Sequence, residues 1–164
     1  MRAFAFLAAL TGLTACGGGS EASVAGTAGG VTFGDATSVY FGGPYVVIAT
    51  GELDCIDLAW VRKNYEEGTT PTASDVELLQ FAFATTDVEV GRVTVGITAS
   101  AASTVVKVVD GAATFTRAEG GVLDIGSVDA TDDGIAEGSF EGLAFADGTL
   151  DGTFTATWCR NLRG

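Results

Sequence analysis

Short acid–glycine turns divide the second half of this chain into runs of strand length. The turns are Asp110-Gly111, Glu119-Gly120-Gly121, Asp133-Gly134 and Asp147-Gly148. Between apolar alternating runs, an Asp-Gly pair is the strongest short-range signal for a hairpin, because glycine takes a positive φ without steric cost. The runs leave no room for crossover helices, so we expect consecutive strands to pair antiparallel.

Runs rich in β-branched and aromatic residues are predicted to be strands. They lie at 38–41, 45–50, 55–60, 76–83, 93–98, 104–109, 112–116, 122–130, 135–145 and 149–158. The run 76–83 has a second interpretation, since Ser74-Asp75-Val76-Glu77 is also a capping box that would begin a helix. Its period of two favours a strand.

The last run shows which face each side chain takes. Leu150, Phe154 and Trp158 fall on one face of a strand, whereas Asp151 and Thr153 fall on the other. One buried and one solvated face are typical of antiparallel sheets. We therefore predict an all-β domain over 31–164, of about nine or ten strands, ending in a hairpin meander. A sandwich is favoured over a small barrel, with Greek-key or meander connections. Glycines within the runs indicate bulges or bends: Gly126, Gly138, Gly142 and Gly152.

The N-terminus has the pattern of an export signal. Met1-Arg2 carries one positive charge, and the apolar stretch 3–13 is too short to cross a hydrocarbon core about 30 Å thick. The stretch ends in Leu13-Thr14-Ala15-Cys16, which resembles the lipobox of bacterial lipoproteins. The resemblance implies removal of a signal peptide at 1–15 and acylation of Cys16. The alternative is ordinary cleavage with Cys16 left unmodified.

The residues after Cys16 suggest how an anchored domain would be displayed. The stretch 17–30 is rich in Gly, Ser and Ala and has no periodicity, so we expect a flexible tether holding the domain about 20 Å from the bilayer. Gly17, rather than an aspartate, follows Cys16, which resembles lipoproteins sorted to the outer membrane where one exists. The acyl chains alone would attach the protein to the membrane, because the mature chain has no basic patch.

Composition excludes several function classes. Eight basic residues stand against 21 acidic ones, a net charge of −13 that opposes nucleic acid as a partner. Removal of 1–15 deletes Arg2 and no acid, so seven basic residues remain and the net charge becomes −14. The chain has no histidine, which removes the commonest zinc ligand and the usual general base. We therefore predict no cofactor, no metal and no catalytic residues.

A wider resemblance covers most of 45–159. The segments Gly138-Ser139-Phe140, Asp147-Gly148 and Gly152-Thr153-Phe154, the terminal Cys159, and Cys55-Ile56-Asp57-Leu58 are similar to those of a group of uncharacterised two-cysteine bacterial lipoproteins. The resemblance implies an all-β exported lipoprotein and implies no particular activity.

Two cysteines remain once Cys16 is acylated. In an oxidising compartment Cys55 and Cys159 have one intramolecular pairing available, and we predict a disulfide near the surface that joins the last strand to an early one. A redox pair is the alternative, but the sequence has no Cys-x-x-Cys motif.

Other candidate sites have simpler structural interpretations. The stretch 129–134 resembles a calcium loop but has Phe140 where a bidentate glutamate is required, so a hairpin tip is favoured. Asp54 and Asp57 are expected on opposite strand faces, and Glu137 and Glu141 on one face about 13 Å apart, too far for glycoside hydrolysis. The aromatic residues Tyr40, Tyr45, Trp60 and Trp158 are candidates for a ligand cavity, although core packing is favoured.

These patterns predict a lipid-anchored envelope protein with a non-enzymatic structural or protein-interaction role. The alternative is a β domain that binds a small apolar ligand or a glycan. The expected partners are the membrane, through the acyl chains, and an envelope protein or glycan.

Overall fold

The structure, a computed structural model, describes residues 20–58 and 75–163. Strands dominate these residues, and a single 3₁₀ turn, Arg160–Leu162, follows the last of them. Twelve strands are present: β1 Glu21–Ala28, β2 Val31–Thr32, β3 Asp35–Ala36, β4 Ser38–Gly42, β5 Tyr45–Ala49, β6 Val76–Phe83, β7 Gly91–Thr94, β8 Ala101–Val109, β9 Ala112–Arg117, β10 Gly120–Val128, β11 Ile135–Phe145 and β12 Gly148–Trp158. Within this part of the chain, no helix is long and apolar enough to span a bilayer.

All the strands belong to one mixed sheet, so the all-β prediction is confirmed. Nine strands follow the order β7-β10-β11-β12-β4-β5-β6-β8-β9, and β1 pairs with β12, β2 and β3. Neighbours are antiparallel except β12 and β4, which pair in parallel over Thr157 with Tyr40 and Trp158 with Phe41. This short parallel contact departs from the purely antiparallel pairing we expected, and it joins the two halves of the sheet.

The sheet curls into a half-barrel, and its two halves face each other across the larger hydrophobic core. One half contains β1, β7, β10, β11 and β12, and the other contains β4, β5, β6, β8 and β9. Phe81 of β6 lies with its ring centroid 5.3 Å from that of Phe140 on β11 and 6.4 Å from that of Phe154 on β12. These rings fill the centre of the core.

A smaller core lies on the opposite face of the second half. Val47, Leu78 and Val106 form its floor, and Leu58 and Leu162 cover it from the loop after β5 and from the 3₁₀ turn. Each of these side chains is buried. Strands β4, β5, β6 and β8 of the second half are thus packed on both faces, whereas β9 stays largely exposed and the outer face of the first half is left to solvent.

The tether prediction is wrong over Glu21–Ala28. This segment is β1, which pairs with β12 in an unbroken antiparallel register from Glu21↔Thr155 to Gly26↔Leu150. Ala22, Val24 and Ala28 are buried in the larger core. Ala22 and Val24 alternate with exposed residues, as in a strand, but the small side chains of this segment make the alternation hard to recognise in the sequence. The predicted signal peptide, Cys16 and the stretch 17–19 lie outside the described residues.

Most of the predicted strands are present within one to three residues of their expected ends. The strand interpretation of 76–83 is confirmed, and 135–145 is also a strand. The prediction of a strand at 55–60 is wrong: Cys55 to Leu58 form turns, and 59–74 lie outside the described residues. The strand predicted at 93–98 ends at Thr94, because the Gly96 N–H donates to Ala101 O (3.0 Å) and the chain turns.

The strand glycines fall into two kinds. Gly126 and Gly142 lie at register shifts of β10 and β11, as bulges require. Gly138 and Gly152 lie within regular pairing, directly opposite Phe154 and Phe140 respectively. These two glycines leave room for the phenylalanine rings, so they are packing positions rather than bends.

Candidate functional site

The outer face of the first half of the sheet is a polar surface that the fold leaves uncovered. We call it the open face and define it by the outward side chains of β1, β7, β10, β11 and β12. Its polar members include Glu21, Ser23, Arg92, Thr94, Asp124, Glu137, Ser139, Glu141, Asp151, Thr153 and Thr155. All are exposed or half-buried, while their chain neighbours Ala22, Leu123, Phe140 and Phe154 point into the larger core.

Strand register aligns the open face into rows. One row passes through Ser23, Thr153, Ser139, Asp124 and Arg92, one residue from each of five strands. A second row contains Glu21, Thr155 and Glu137. Because neighbouring strands lie about 4.8 Å apart, the five-residue row is about 19 Å long. The arrangement is a broad surface of hydroxyls and carboxylates held on a rigid backbone.

The charge on the open face is strongly one-sided. Glu21, Asp124, Glu137, Glu141 and Asp151 contribute carboxylates, and Arg92 contributes a guanidinium. The ion pairs among the described residues lie elsewhere: Lys107 with Glu77, Arg160 with Asp132, and Arg163 with Asp87. A surface of this kind attracts cationic groups and repels anionic ones.

A shallow groove of about 460 Å³ lies at one end of the open face. It is formed where β1 pairs with β12 on one side and with β3 on the other, at Ala22↔Ala36 and Ser23↔Asp35. Its polar lining consists of two carboxylates and four hydroxyls: Glu21, Asp35, Ser23, Thr37, Thr153 and Thr155. Such a lining offers hydrogen-bond acceptors and donors beside apolar surface from Ala22, Ala36 and Phe154.

The predicted disulfide between Cys55 and Cys159 is present, with a Cα–Cα distance of 5.5 Å. Cys159 follows β12 and is buried, and its N–H donates to Phe41 O (2.8 Å). Cys55 is half-buried in the turn after β5. The bond therefore joins the end of the last strand to a loop, not to an early strand, and fixes that loop over the smaller core.

Asp54 and Asp57 lie together in this loop, contrary to the prediction of opposite strand faces. The Asp57 N–H donates to Asp54 O (3.0 Å), and the Asp54 N–H donates to an Asp57 carboxylate oxygen (3.3 Å). The hydroxyl of Tyr40 donates to Leu53 O (2.9 Å) beside them. Burial first, and then the negative charges of Asp54 and Asp57, raise the pKa of Tyr40 above its ordinary value.

The segment that resembles a calcium loop is the tip between β10 and β11. Asp129 accepts hydrogen bonds from the Thr131 N–H (3.2 Å) and hydroxyl (2.7 Å), and the Gly134 N–H donates to Thr131 O (2.8 Å). These local bonds fold a turn. Among residues 20–58 and 75–163 no cluster of three acidic or cysteine side chains is arranged to hold a metal.

The described aromatic candidates pack against their neighbours. The Trp158 ring meets Phe41 edge-on at 5.2 Å, and the Arg163 guanidinium carbon lies 5.8 Å from its centroid. Tyr40 and Tyr45 pack against the smaller core. Trp60 lies outside the described residues.

Comparison with known proteins found no matching family model, no matching curated protein and no matching solved structure. The resemblance to uncharacterised lipoproteins therefore stays a prediction.

Sequence reasoning identified the alternation on β12 but not the open face as a unit. The open face is created by register across five strands, one of which, β1, lies within the stretch that the sequence predicts to be a tether. The one local signal was the shared phase of Asp151, Thr153 and Thr155.

Proposed function

We propose that this protein is a lipid-anchored, non-enzymatic binding module of the cell envelope. In this proposal the open face docks a protein partner that presents a basic surface. The observation that carries the proposal is the alignment of five carboxylates, one guanidinium and several hydroxyls on one exposed sheet face.

The lipid anchor rests on the sequence. Arg2, the apolar stretch 3–13 and Leu13-Thr14-Ala15-Cys16 together form the export and lipidation pattern. Intact mass of the mature protein from native membranes is expected to show a chain that begins at an acylated Cys16. An unmodified Cys16 thiol would remove the anchor from the proposal, and Cys16→Ser provides the non-lipidated control.

The open face suits recognition better than the protein interior does. Phe81, Phe140 and Phe154 fill the centre of the larger core, which counts against an apolar ligand held between the sheet halves. Surface carboxylates that take part in none of the described ion pairs instead steer a basic partner and select against acidic ones. Steering of this kind weakens as ionic strength rises.

Two variants of equal net charge test the open face. The first replaces Glu21→Gln, Glu137→Gln and Glu141→Gln on the open face; the second replaces Glu52→Gln, Glu89→Gln and Glu119→Gln, which are exposed elsewhere. Binding of a lysine-rich peptide is measured by titration at low and physiological salt. We expect the first variant to lose affinity and the second to retain it. Equal losses would show that net charge alone, and not the open face, attracts the peptide.

A glycan is the second candidate ligand, and the groove of about 460 Å³ is the observation that favours it. Carboxylates and hydroxyls are the usual partners of sugar hydroxyls, and this lining has both. Substitution of Asp35→Ala and Thr153→Ala is then expected to abolish retention on an immobilised envelope polysaccharide. Retention that survives both changes would exclude the groove as the glycan site.

A further inference from the structure

We infer that the lipidated protein lies directly against the membrane, with the end of the body around Ser20, Thr37 and the groove facing the lipid headgroups. This inference rests on the lipid anchor proposed above. It reverses the expected separation of about 20 Å that a flexible tether over 17–30 would provide.

The first step is the length of chain between the anchor and the folded body. Hydrogen bonds attach the chain to the body from Ser20 onward: its hydroxyl donates to Thr37 O (2.6 Å) and accepts from the Val39 N–H (3.4 Å). Strand β1 begins at the next residue. Gly17, Gly18 and Gly19 alone separate Cys16 from Ser20. Even fully extended, this segment reaches about 14 Å from the acylated residue.

The second step compares this reach with the membrane. The polar interfacial layer on each side of a bilayer is about 5–8 Å thick. A cysteine whose acyl chains enter the hydrocarbon lies at the inner boundary of that layer. Ser20 therefore lies at most about 14 Å from that boundary, which is less than the length of β1 alone, so the body contacts headgroups.

The third step identifies which surface makes the contact. The residues next to Ser20 are exposed and polar: Glu21, Asp35 and Thr37. The turn Asp147-Gly148 lies at the far end of β1, next to Gly29, whose N–H donates to the Asp147 carboxylate (2.9 Å). The eight residues of β1 separate this turn from Ser20, so the distance between the turn and Ser20 is about 26 Å. Ser20 and the turn Asp147-Gly148 therefore mark one position near the membrane and one far from it on the same sheet.

The near surface is uncharged or acidic, so the fitting lipid is zwitterionic. Glu21 and Asp35 are the exposed charges nearest Ser20 in the groove, and neither has a cationic partner among the described ion pairs. These carboxylates repel anionic headgroups and tolerate phosphatidylcholine or phosphatidylethanolamine. The groove consequently opens next to the headgroup layer.

Headgroup quenching tests the orientation. A fluorescent noncanonical amino acid replaces Thr37 in one variant and Ala146 in the other; both positions are exposed. The full-length mature lipoproteins are reconstituted into phosphatidylcholine vesicles that contain a lipid with a nitroxide on its headgroup. We expect the nitroxide to quench the label at position 37 and to leave the label at position 146 bright.

The matched control lengthens the segment before the body. An insertion of about ten Gly and Ser residues between Gly19 and Ser20 leaves the anchor intact and restores a flexible spacer. Loss of quenching at position 37 in this variant, while the protein still floats with the vesicles, supports the inference. Equal quenching at both positions in vesicle-bound protein without the insertion would overturn it and leave the anchor standing. A mature chain with an unmodified Cys16 would overturn both, and the intact mass distinguishes that case.

Discussion

Two glycine–phenylalanine pairs control how closely β11 and β12 pack against the larger core. A Cβ added to Gly138 would lie 2.6 Å from Cζ of Phe154, and one added to Gly152 would lie 2.6 Å from Cζ of Phe140. Each phenylalanine covers the glycine opposite it on the neighbouring strand. Pairing of this kind lets bulky rings fill the core without separating the strands.

Alanine at either paired glycine is therefore expected to destabilise the protein. Overpacking of a filled core costs about 1–3 kcal/mol, so Gly152→Ala should lower the free energy of unfolding by that amount in urea titration. Gly126→Ala is the control, because the nearest atom to its added Cβ is Glu137 O at 3.7 Å. Equal effects of the two substitutions would contradict the packing role of Gly152.

Asp147 connects the turn before β12 to the turn after β1. Its carboxylate accepts from the N–H groups of Gly29 (2.9 Å) and Gly30 (3.1 Å). Hydrogen bonds from Gly29, then Gly30 and its own backbone, lower the pKa of Asp147 below 3.8, its ordinary value. Since the folded pKa is the lower one, this carboxylate stabilises the fold above the unfolded pKa, and the stabilisation is lost as the pH falls through the folded pKa.

The corresponding prediction concerns the pH dependence of stability. Asp147→Asn should lower the urea midpoint at pH 7, and its difference from the parent protein should shrink as the pH falls below 3.8. Glu141→Gln, an exposed carboxylate on β11, reports the effect of lost charge alone. A difference between Asp147→Asn and the parent that stays constant down to acidic pH would exclude the carboxylate as its cause.

At the scale of elements, β1 is a structural strand rather than a spacer. Val24 is buried in the larger core, whereas Ser23 lies on the open face. We expect Val24→Asp to destabilise the protein by about 3 kcal/mol or more, because it buries an unpaired carboxylate. Ser23→Asp should change stability little. Similar unfolding curves for both variants would contradict the structural role of β1 and favour a tether over 21–28.

The disulfide connects two elements that are distant in sequence. Cys55 and Cys159 are 104 residues apart, and a closed loop of that size is worth up to about 4.7 kcal/mol in the chain-entropy model. Reductant should lower the guanidinium midpoint of the parent protein toward that of the double variant Cys55→Ala, Cys159→Ala. The same reductant should leave the double variant unchanged. If reductant does not change the guanidinium midpoint of the parent protein, the stabilising role of the disulfide is contradicted.

The strands between acid–glycine turns could be predicted from the sequence because turn and alternation signals are local. Residues 135–145 and 149–158 illustrate this, since Asp133-Gly134 and Asp147-Gly148 mark where they begin. Strand β1 could not be predicted because its buried residues are mostly alanine, whose small apolar surface gives a weak periodic signal. The loop at Cys55 was also missed, because its apolar residues pack on the smaller core from turns.

At the scale of the whole molecule, long-range strand pairing determines the features that the sequence does not predict. The order of strands and the short parallel contact between Trp158 and Phe41 are long-range, and no local pattern encodes them. That contact joins two sheet halves: in one, β4, β5, β6 and β8 are covered on both faces, and in the other the outer face is exposed. The open face is therefore a property of topology, and so is its charge.

Site-specific photocrosslinking in native membranes tests the central claim most directly. A photoreactive amino acid at Ser139, in the middle of the open face, is compared with the same group at Thr114 on β9, which is exposed on the other half of the sheet. We expect a discrete crosslinked product from position 139, which Glu21→Gln, Glu137→Gln and Glu141→Gln suppress, and none from position 114. The same product from both positions, or from neither, would contradict the open face as the partner surface.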